Sequence, residues 1–547
     1  MFRNTLILLC LIGLIKLKAQ NPPEDIPLFP SHIQIDKPSE QQIHHLYKLC
    51  KVWGLLKYKH PQITSGKLDW DKELFSYIKL TDHAHFDSLI LEKFPPLQES
   101  SSGSSISKKL NWIQKDDLFS KDLQSYLRSI AQMKLVEKQA YLEPGKWDIT
   151  PHFKEKKYPH IDYQDEGVKL LSLFRYWNII EYFFPYKELM EEDWDKLLLE
   201  FIPKILATQN ELEYKLSFLE LVCTIKDGHG GIHNDAILNK HFGQNQIPIE
   251  VKLIQDQAFV AALFMNDSPL KAGDVIVEIG GKPIPDLVKA KRPYIAASTQ
   301  AGQNRILAEY ILRTNQDMIE MKIKRGPKVL NLRLKTDLYN PLRYVQKNIP
   351  SHQELSADIA YIYPGSLKQE DIEAVLKTYK NKRSIILDYR SYPFANLQNI
   401  LPNFLLAYPS YAFKGSRYSR DQLGEFHFTK SYKWGEANES YYKGNFVILV
   451  NEYTQSQPEF EILIYSQAPK VSIIGSATAG TLGNWTPIYL PGNMLTSISG
   501  NGIYRYDESQ VQRIGIIPDI YVERSIEGLK QGKDEVLEKA IEFCEKR

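Results

Sequence analysis

Hydrophobic spacing divides the chain into three textures. Over residues 46–71 and 170–195 apolar positions recur at the spacing of amphipathic helices. Each run ends at a proline, Pro61 or Pro185, and after a short loop Asp-Trp-Asp opens another helix. From Gln244 to about Asp337 the texture becomes a series of short β-rich runs, IPIEVKLI, FVAALF, DVIVEIGG, MIEMKIKRG and VLNLRLKT. From Ala357 it alternates: a strand AYIYPG, a helix around Asp371 to Tyr379, a strand Ser384 to Arg390, a helix, a strand Phe446 to Val450, a helix from Glu459, and a strand Val471 to Ile474. Such alternation predicts a sheet with helices on its faces and ligand chemistry at its strand ends.

The two helical stretches are copies. Trp53 aligns with Trp177, Pro61 with Pro185, and Asp69-Trp70-Asp71 with Asp193-Trp194-Asp195, at a constant offset and without a gap. Two copies are too few for a solenoid, and their Trp and Tyr residues read as packing groups. Between them Glu99 to Lys109, ESSSGSSISKK, is flexible by composition. The expected division is a signal peptide at 1–19, a helical domain at 20–145 that includes the 99–109 linker, a second helical domain at 146–243, a β-rich module at 244–337, an α/β core at 338–530 and a C-terminal helix at 531–547.

Length and charge then narrow the partners. A chain of 547 residues exceeds a single core, and 43% apolar with 24% charged residues is the composition of a folded protein. A formal net charge of +2 gives no footprint for a nucleic-acid partner. Arg3 followed by the apolar run Thr5 to Ile15 and by Leu17-Lys18-Ala19 reads as a secretory signal that leaves Gln20 as the first residue. No small residue precedes Cys10, which opposes a lipid anchor, and no later run is apolar enough to span a bilayer. The expected location is therefore exported, periplasmic or extracellular. Cys50, Cys223 and Cys544 are too few and too scattered for a disulfide framework or a zinc site, and are expected as buried free thiols. No cofactor or metal is expected, and the oligomeric state is left open.

Two stretches carry candidate chemistry. Ser456 stands where an apolar strand has ended and a helix begins, among free backbone N–H groups at a positive helix end. The same residues, Ser456-Gln457-Pro458-Glu459, form an S-x-x-E capping box with proline in the first turn. The second stretch is Lys226-Asp227-Gly228-His229-Gly230-Gly231-Ile232-His233, where glycines end a helix and place His229 on a tight, exposed turn. Three readings compete for it: a general base, a plain glycine turn, or a metal site made with His233. The intervening glycines oppose the helix that a metal site at that spacing needs.

Residues 268–281, SPLKAGDVIVEIGG, resemble the signature of PDZ domains, which capture extended peptides at a sheet edge. Gln246-Ile247-Pro248-Ile249 occupies the place of the usual glycine-rich carboxylate loop. Five further motifs follow in order: Asp227-Gly228-His229, Leu387-Asp388-Tyr389-Arg390, Thr454-Gln455-Ser456-Gln457-Pro458-Glu459, Gly475 to Gly480, and Gly515-Ile516-Ile517-Pro518-Asp519. Together they resemble the C-terminal processing and tricorn-type serine peptidases, and the N-terminal repeat and Ser391-Tyr392-Pro393 resemble a Bacteroidetes-type branch. The resemblance implies a multidomain α/β protein with a helical N-terminal repeat region, a PDZ-like module and a ClpP/crotonase-like peptidase core. It implies cleavage of polypeptide substrates by a Ser456 nucleophile with His229 as base. Thr481 stands where lysine-dyad members carry their base, and Gln512 stands nearest the place of the tricorn-type glutamate. Gln512 is thus the expected third member, with Asp227 and Asp507 as alternatives. The implied oxyanion donors are the backbone N–H groups of Gln457 and of Phe394 or Ala395. The missing lysine and the altered loop after Arg390 also fit a second reading, a non-catalytic relative that binds peptides or small apolar ligands.

Overall fold

The computed structural model describes residues 30–96, 105–115, 117–134, 139–145, 149–254, 257–265, 267–340, 349–420 and 422–547. The expected signal peptide and its cleavage site lie outside the described residues.

Helices Glu40–Lys59 and Glu166–Phe183 form the centre of a large helical core. They are not amphipathic in the structure. Almost every residue from His45 to Lys59 and from Gly167 to Phe183 is buried. The polar positions that give the sequence its amphipathic look face partners inside the protein instead of water. Lys57, Arg175, Asp71 and Glu155 are all buried and make one network, with Lys57 Nζ 2.7 Å from Glu155, Arg175 Nη2 2.8 Å from Asp71 and Arg175 Nε 2.9 Å from Glu155. Buried charges persist only when paired in this way. The helices approach closely at Gly54, where a Cβ would stand 1.8 Å from Asn178 Oδ1. Within each copy the tryptophans bond reciprocally: Trp53 and Trp70 each donate Nε1–H to the other's carbonyl, and Trp177 and Trp194 do the same. Residues of both copies share this one core. The described end of the linker is held, with Ser107 Oγ donating to Glu425 at 2.8 Å.

The helical core also contains Ile488, Leu490, Met494 and Ile498 from a hairpin of strands Trp485–Leu490 and Met494–Ser499. Arg175 Nη1 donates to the carbonyl of Tyr489 in that hairpin at 3.0 Å. The hairpin thus belongs to the α/β core by sequence and to the helical region by packing.

The five β-rich runs form one antiparallel sheet, in the order Lys328–Lys335, Met318–Arg325, Val275–Ile279, Gln257–Leu263, Ile249–Ile254. Helices Ile284–Lys291 and Gln300–Ile311 complete its apolar core.

The α/β core is a sheet of six strands, His352–Glu354, Ile359–Ile362, Ser384–Asp388, Asn445–Val450, Val471–Gly475 and Ile520–Tyr521, parallel except for the first pair. Its central strands are buried on both faces, as continuous apolar runs require. Helix Gln457–Tyr465 covers one face, and Glu535–Glu545 covers the other through Val536, Ala540 and Cys544. One expected element is corrected. Among its described residues, the segment between strands Ser384–Asp388 and Asn445–Val450 holds only the short helix Leu401–Leu405, and then strands Ser410–Tyr411, Phe413–Tyr418, Phe426–Phe428 and Lys433–Trp434. Its alternating aromatic and polar residues suit a ribbon more than a helix. Cys50, Cys223 and Cys544 are free thiols; the first and last are buried and Cys223 is half-buried. Among the described residues, no helix is long and apolar enough to cross a membrane.

Candidate active site

Ser456 is the N-cap of helix Gln457–Tyr465 and has φ 64° and ψ −106°. A non-glycine residue rarely adopts this conformation, which costs on the order of 1–3 kcal/mol and is held by its surroundings. The capping box is present, and Glu459 accepts the Ser456 N–H at 2.9 Å. The same carboxylate accepts Gly480 N–H at 2.7 Å, Thr481 N–H at 3.0 Å and Thr478 Oγ–H at 2.5 Å. Glu459 is therefore more than a cap: it ties the strained serine to the Gly/Thr-rich loop. Burial pushes its carboxyl up to about 7, opposed by these donors.

The Asp227–His233 loop lies along the edge of strand Met494–Ser499. Ile232 pairs antiparallel with Thr496, and His233 N–H donates to Leu495 O at 2.8 Å. Docking there buries His229, which retains 5% exposure, and corrects the expectation of an exposed turn. Gly228 is required by close approach, since Thr481 Oγ1 stands 2.2 Å from where its Cβ would be.

His229 Nε2 lies 3.2 Å from Ser456 Oγ, across 227 positions of sequence. Its other ring nitrogen, Nδ1, is 2.9 Å from Ser499 Oγ. Ser499 in turn donates its hydroxyl to Asp227 Oδ1 at 3.0 Å, so its oxygen is left to accept from Nδ1–H. That chain fixes the neutral tautomer, with Nε2 unprotonated and facing the serine. Asp227 is fully buried, lies 3.9 Å from Nδ1, and also accepts the backbone N–H groups of His229 at 3.1 Å and Ser499 at 2.6 Å. Burial lowers the His229 pKa from its ordinary value, and the Asp227 charge partly restores it. A neutral imidazole against a serine hydroxyl is the arrangement of a general base and its nucleophile.

Gln512 does not orient the imidazole. Its Oε1 accepts Leu482 N–H at 2.7 Å and its Nε2 reaches Ser298 Oγ at 3.2 Å and Asp227 Oδ1 at 3.5 Å, so it supports the aspartate from behind. Asp507 bonds Ser509 on an exposed turn. The missed residue is Ser499. The one signal for it is the parity of Thr496-Ser497-Ile498-Ser499 in a strand, which sends Ser497 and Ser499 to one face. Both meet histidines there: Ser497 Oγ is 2.7 Å from His233 Nε2 and donates to His229 O at 2.5 Å. His233 is thus engaged by a serine. Burial drives its pKa down to about 4. Among the described residues no group of three or more His, Cys, Asp or Glu could hold a metal ion.

Gln457, the first residue of its helix, has no carbonyl four residues back within the helix to accept its N–H. Phe394 is corrected as the second donor, because its N–H is bonded to Pro364 O at 2.8 Å. Among the described residues Ala395 N–H has no hydrogen-bond partner, which leaves it as the candidate of the two. Thr481, in place of a lysine, bonds Ser298 Oγ at 3.0 Å. A separate cavity of about 320 Å³ opens between the β-rich module and the core; Arg390, Glu452 and Arg524 line it, while Ser456 and His229 do not.

Residues 358–522 match the model of peptidase family S41, and residues 254–336 match that of the N-terminal domain of the Bacteroidetes S41 family. His229 lies outside both segments. No curated protein matches the chain. Among solved structures, mature CPAF in complex with lactacystin is similar at a TM-score of 0.54 and 13% identity, covering 69% of this chain and 97% of that one. The photosystem II D1 C-terminal processing protease matches at 0.41 and 13%, covering 67% and 98%, and the tricorn protease at 0.38 and 15%, covering 72% and 38%.

Proposed function

The chain belongs to the S41 family of serine peptidases, and we propose that it is an exported endopeptidase with Ser456 as nucleophile and His229 as general base. Family membership makes its substrates polypeptides. The observation that carries the residue assignment is the 3.2 Å approach of His229 Nε2 to Ser456 Oγ, with Nδ1 held by Ser499.

In this reading His229 Nε2 takes the Ser456 proton as Oγ attacks the peptide carbonyl. The electron pair of the carbonyl moves to oxygen, and the resulting oxyanion accepts from the N–H groups of Gln457 and Ala395. Collapse expels the amine, which takes the proton from His229, and an ester remains on Ser456. Water, deprotonated by the same imidazole, attacks the ester. The second tetrahedral intermediate collapses by breaking its bond to Ser456 Oγ, which takes the proton back from His229 as the carboxylic acid leaves. Asp227 acts through Ser499 on the imidazolium formed in each half, at a distance of 3.9 Å.

A fluorophosphonate probe tests the assignment. Wild type becomes labelled, and Ser456→Ala and His229→Ala stay unlabelled while keeping the wild-type circular dichroism spectrum. Equal labelling of Ser456→Ala sinks it. For export, mass spectrometry of the protein from an expressing cell's secreted fraction should return a mature chain that starts at Gln20. The module at 244–337 is read as PDZ-like, supported by its edge strand Ile249–Ile254 lying along helix Gln300–Ile311. Failure of Ser456→Ala protein to bind any member of a C-terminal peptide library would remove the capture role.

A further inference from the structure

Glu461 is a buried acid that the reaction as written does not use. It sits on helix Gln457–Tyr465, one turn beyond Gln457, and is 0% exposed. Among the described residues no cation pairs with it. Its carboxylate instead collects donors: Gln457 Nε2–H to Oε1 at 2.9 Å, Tyr465 O–H to Oε2 at 3.2 Å, and Tyr389 O–H to Oε2. An isolated acid is costly to bury, and an aliphatic residue would fill a helix interior more cheaply.

The donors show what the acid joins. Gln457 is the residue after the nucleophile, and its backbone N–H is one proposed oxyanion donor. The loop after Tyr389 carries Ala395, whose N–H is the other. Tyr389 ends the strand from which that loop departs, and its carbonyl accepts Thr454 Oγ–H at 2.8 Å, two residues before Ser456. The two walls of the oxyanion site follow two paired strands of the sheet, with Tyr389 N–H donating to Leu449 O at 2.9 Å. Beyond that pair, no backbone hydrogen bond among the described residues joins residues 390–397 to residues 451–457. Glu461 is one side chain that bonds to both.

We propose that Glu461 is a positioning residue that sets the separation of the two oxyanion donors. The inference rests on the reading of Ser456 as nucleophile. The carboxylate is suited to this because it accepts several donors at once, whereas a carboxamide has one oxygen and would present N–H groups to N–H and O–H donors. Loosening either donor weakens binding of the tetrahedral oxyanion without touching the ground-state peptide, so the effect falls on kcat and leaves KM in place.

The test uses the full mature chain and a fluorogenic peptide, with binding of a peptide aldehyde as a second readout. Glu461→Gln should lower kcat about tenfold and Glu461→Ala about a hundredfold, near the effect of losing one oxyanion donor. Aldehyde affinity should fall in parallel while KM stays within about twofold. Gln457→Ala, which removes one strut and leaves the backbone donor, should fall between wild type and Glu461→Gln and covers the case in which the Glu461 variants fail to fold. Tyr465→Phe removes a donor attached to neither wall and should keep wild-type kcat. Unchanged kcat in folded Glu461→Gln and Gln457→Ala would overturn the inference, as would an equal loss in Tyr465→Phe. Retained activity in Ser456→Ala would overturn the underlying reading instead.

Discussion

Ser499 Oγ stands between two groups of one loop, 2.9 Å from His229 Nδ1 and 3.0 Å from Asp227 Oδ1. The hydroxyl can pass the orienting effect of the carboxylate to the imidazole only while its own proton points at Asp227. Asp227→Asn reverses that order. The amide donates to Ser499, the serine proton turns to Nδ1, and the histidine proton moves to Nε2, where it opposes Ser456. The expected loss in kcat is on the order of a thousandfold or more, as for other wrong-tautomer substitutions. Ser499→Ala removes the relay without enforcing the wrong tautomer and should cost about ten- to a hundredfold. Gln512→Ala should cost far less, since it does not touch the ring. Steady-state rates on one peptide substrate rank the three, and a Gln512→Ala loss equal to that of Ser499→Ala would contradict the arrangement.

The pH dependence follows from burial. His229 and His233 both have folded pKa values below the ordinary 6.5, because burial disfavours imidazolium, and His233 falls to about 4. Each therefore holds fewer protons in the folded than in the unfolded chain below pH 6.5, and stability drops as acid is added. The contribution is complete above pH 6.5, and that of His233 is lost as the pH falls toward about 4. Over that interval the loss from His233 is on the order of 3 kcal/mol. Urea midpoints measured across this range should fall with acid, and less so in His233→Asn. The acid limb of kcat/KM should have an apparent pKa below 6.5, since the base needs only to be neutral.

Much of this site was legible because its signals are local. Ser456 announces itself through an apolar strand, a short polar loop and S-x-x-E, all within a dozen positions. His229 does so through Asp-Gly-His-Gly-Gly after a helix. Ser499 was not legible, because its partner lies 270 positions away and is selected by the pairing of Ile232 with Thr496. Phe394 failed as a donor for a similar reason: its N–H is claimed by Pro364 from another loop. The central helices misled in the opposite direction. Lys57 and Arg175 break the apolar pattern as a water-facing stripe would, yet they meet Asp71 and Glu155 contributed by distant segments.

That buried network gives a stability prediction. Removing Arg175 as Arg175→Met leaves Asp71 and Glu155 with Lys57 as their remaining buried cation and frees the carbonyl of Tyr489. Breaking one member of such a set typically costs about 3–5 kcal/mol. The loss should appear in the urea midpoint. It should also lower activity, because the hairpin that Arg175 holds carries Ser499.

Arg305 offers a way to separate the β-rich module from the chemistry. It lies on helix Gln300–Ile311 of that module, and its guanidinium donates to Glu452 O at 3.1 Å and to Gln455 Oε1 at 2.8 Å. Gln455 then donates to Gly228 O at 3.3 Å, so one side chain joins the loop before Ser456 to the loop before His229. Arg305→Ala breaks this connection at its source, while Ser298 and Thr299, at the start of the same helix, keep their own bonds to Thr481, Thr478 and Ala479. The module should therefore stay docked and the urea midpoint should change little. The two loops lose the clamp that fixes their separation, and the 3.2 Å approach of His229 to Ser456 loosens. A misplacement of about 1 Å is enough to cost on the order of a hundredfold. The expected result is a fall in kcat with fluorophosphonate labelling slowed to the same degree, and Arg305→Lys should not restore it, because an ammonium cannot present the forked pair of donors. Wild-type labelling rates in Arg305→Ala would show that the loops hold their spacing without the module.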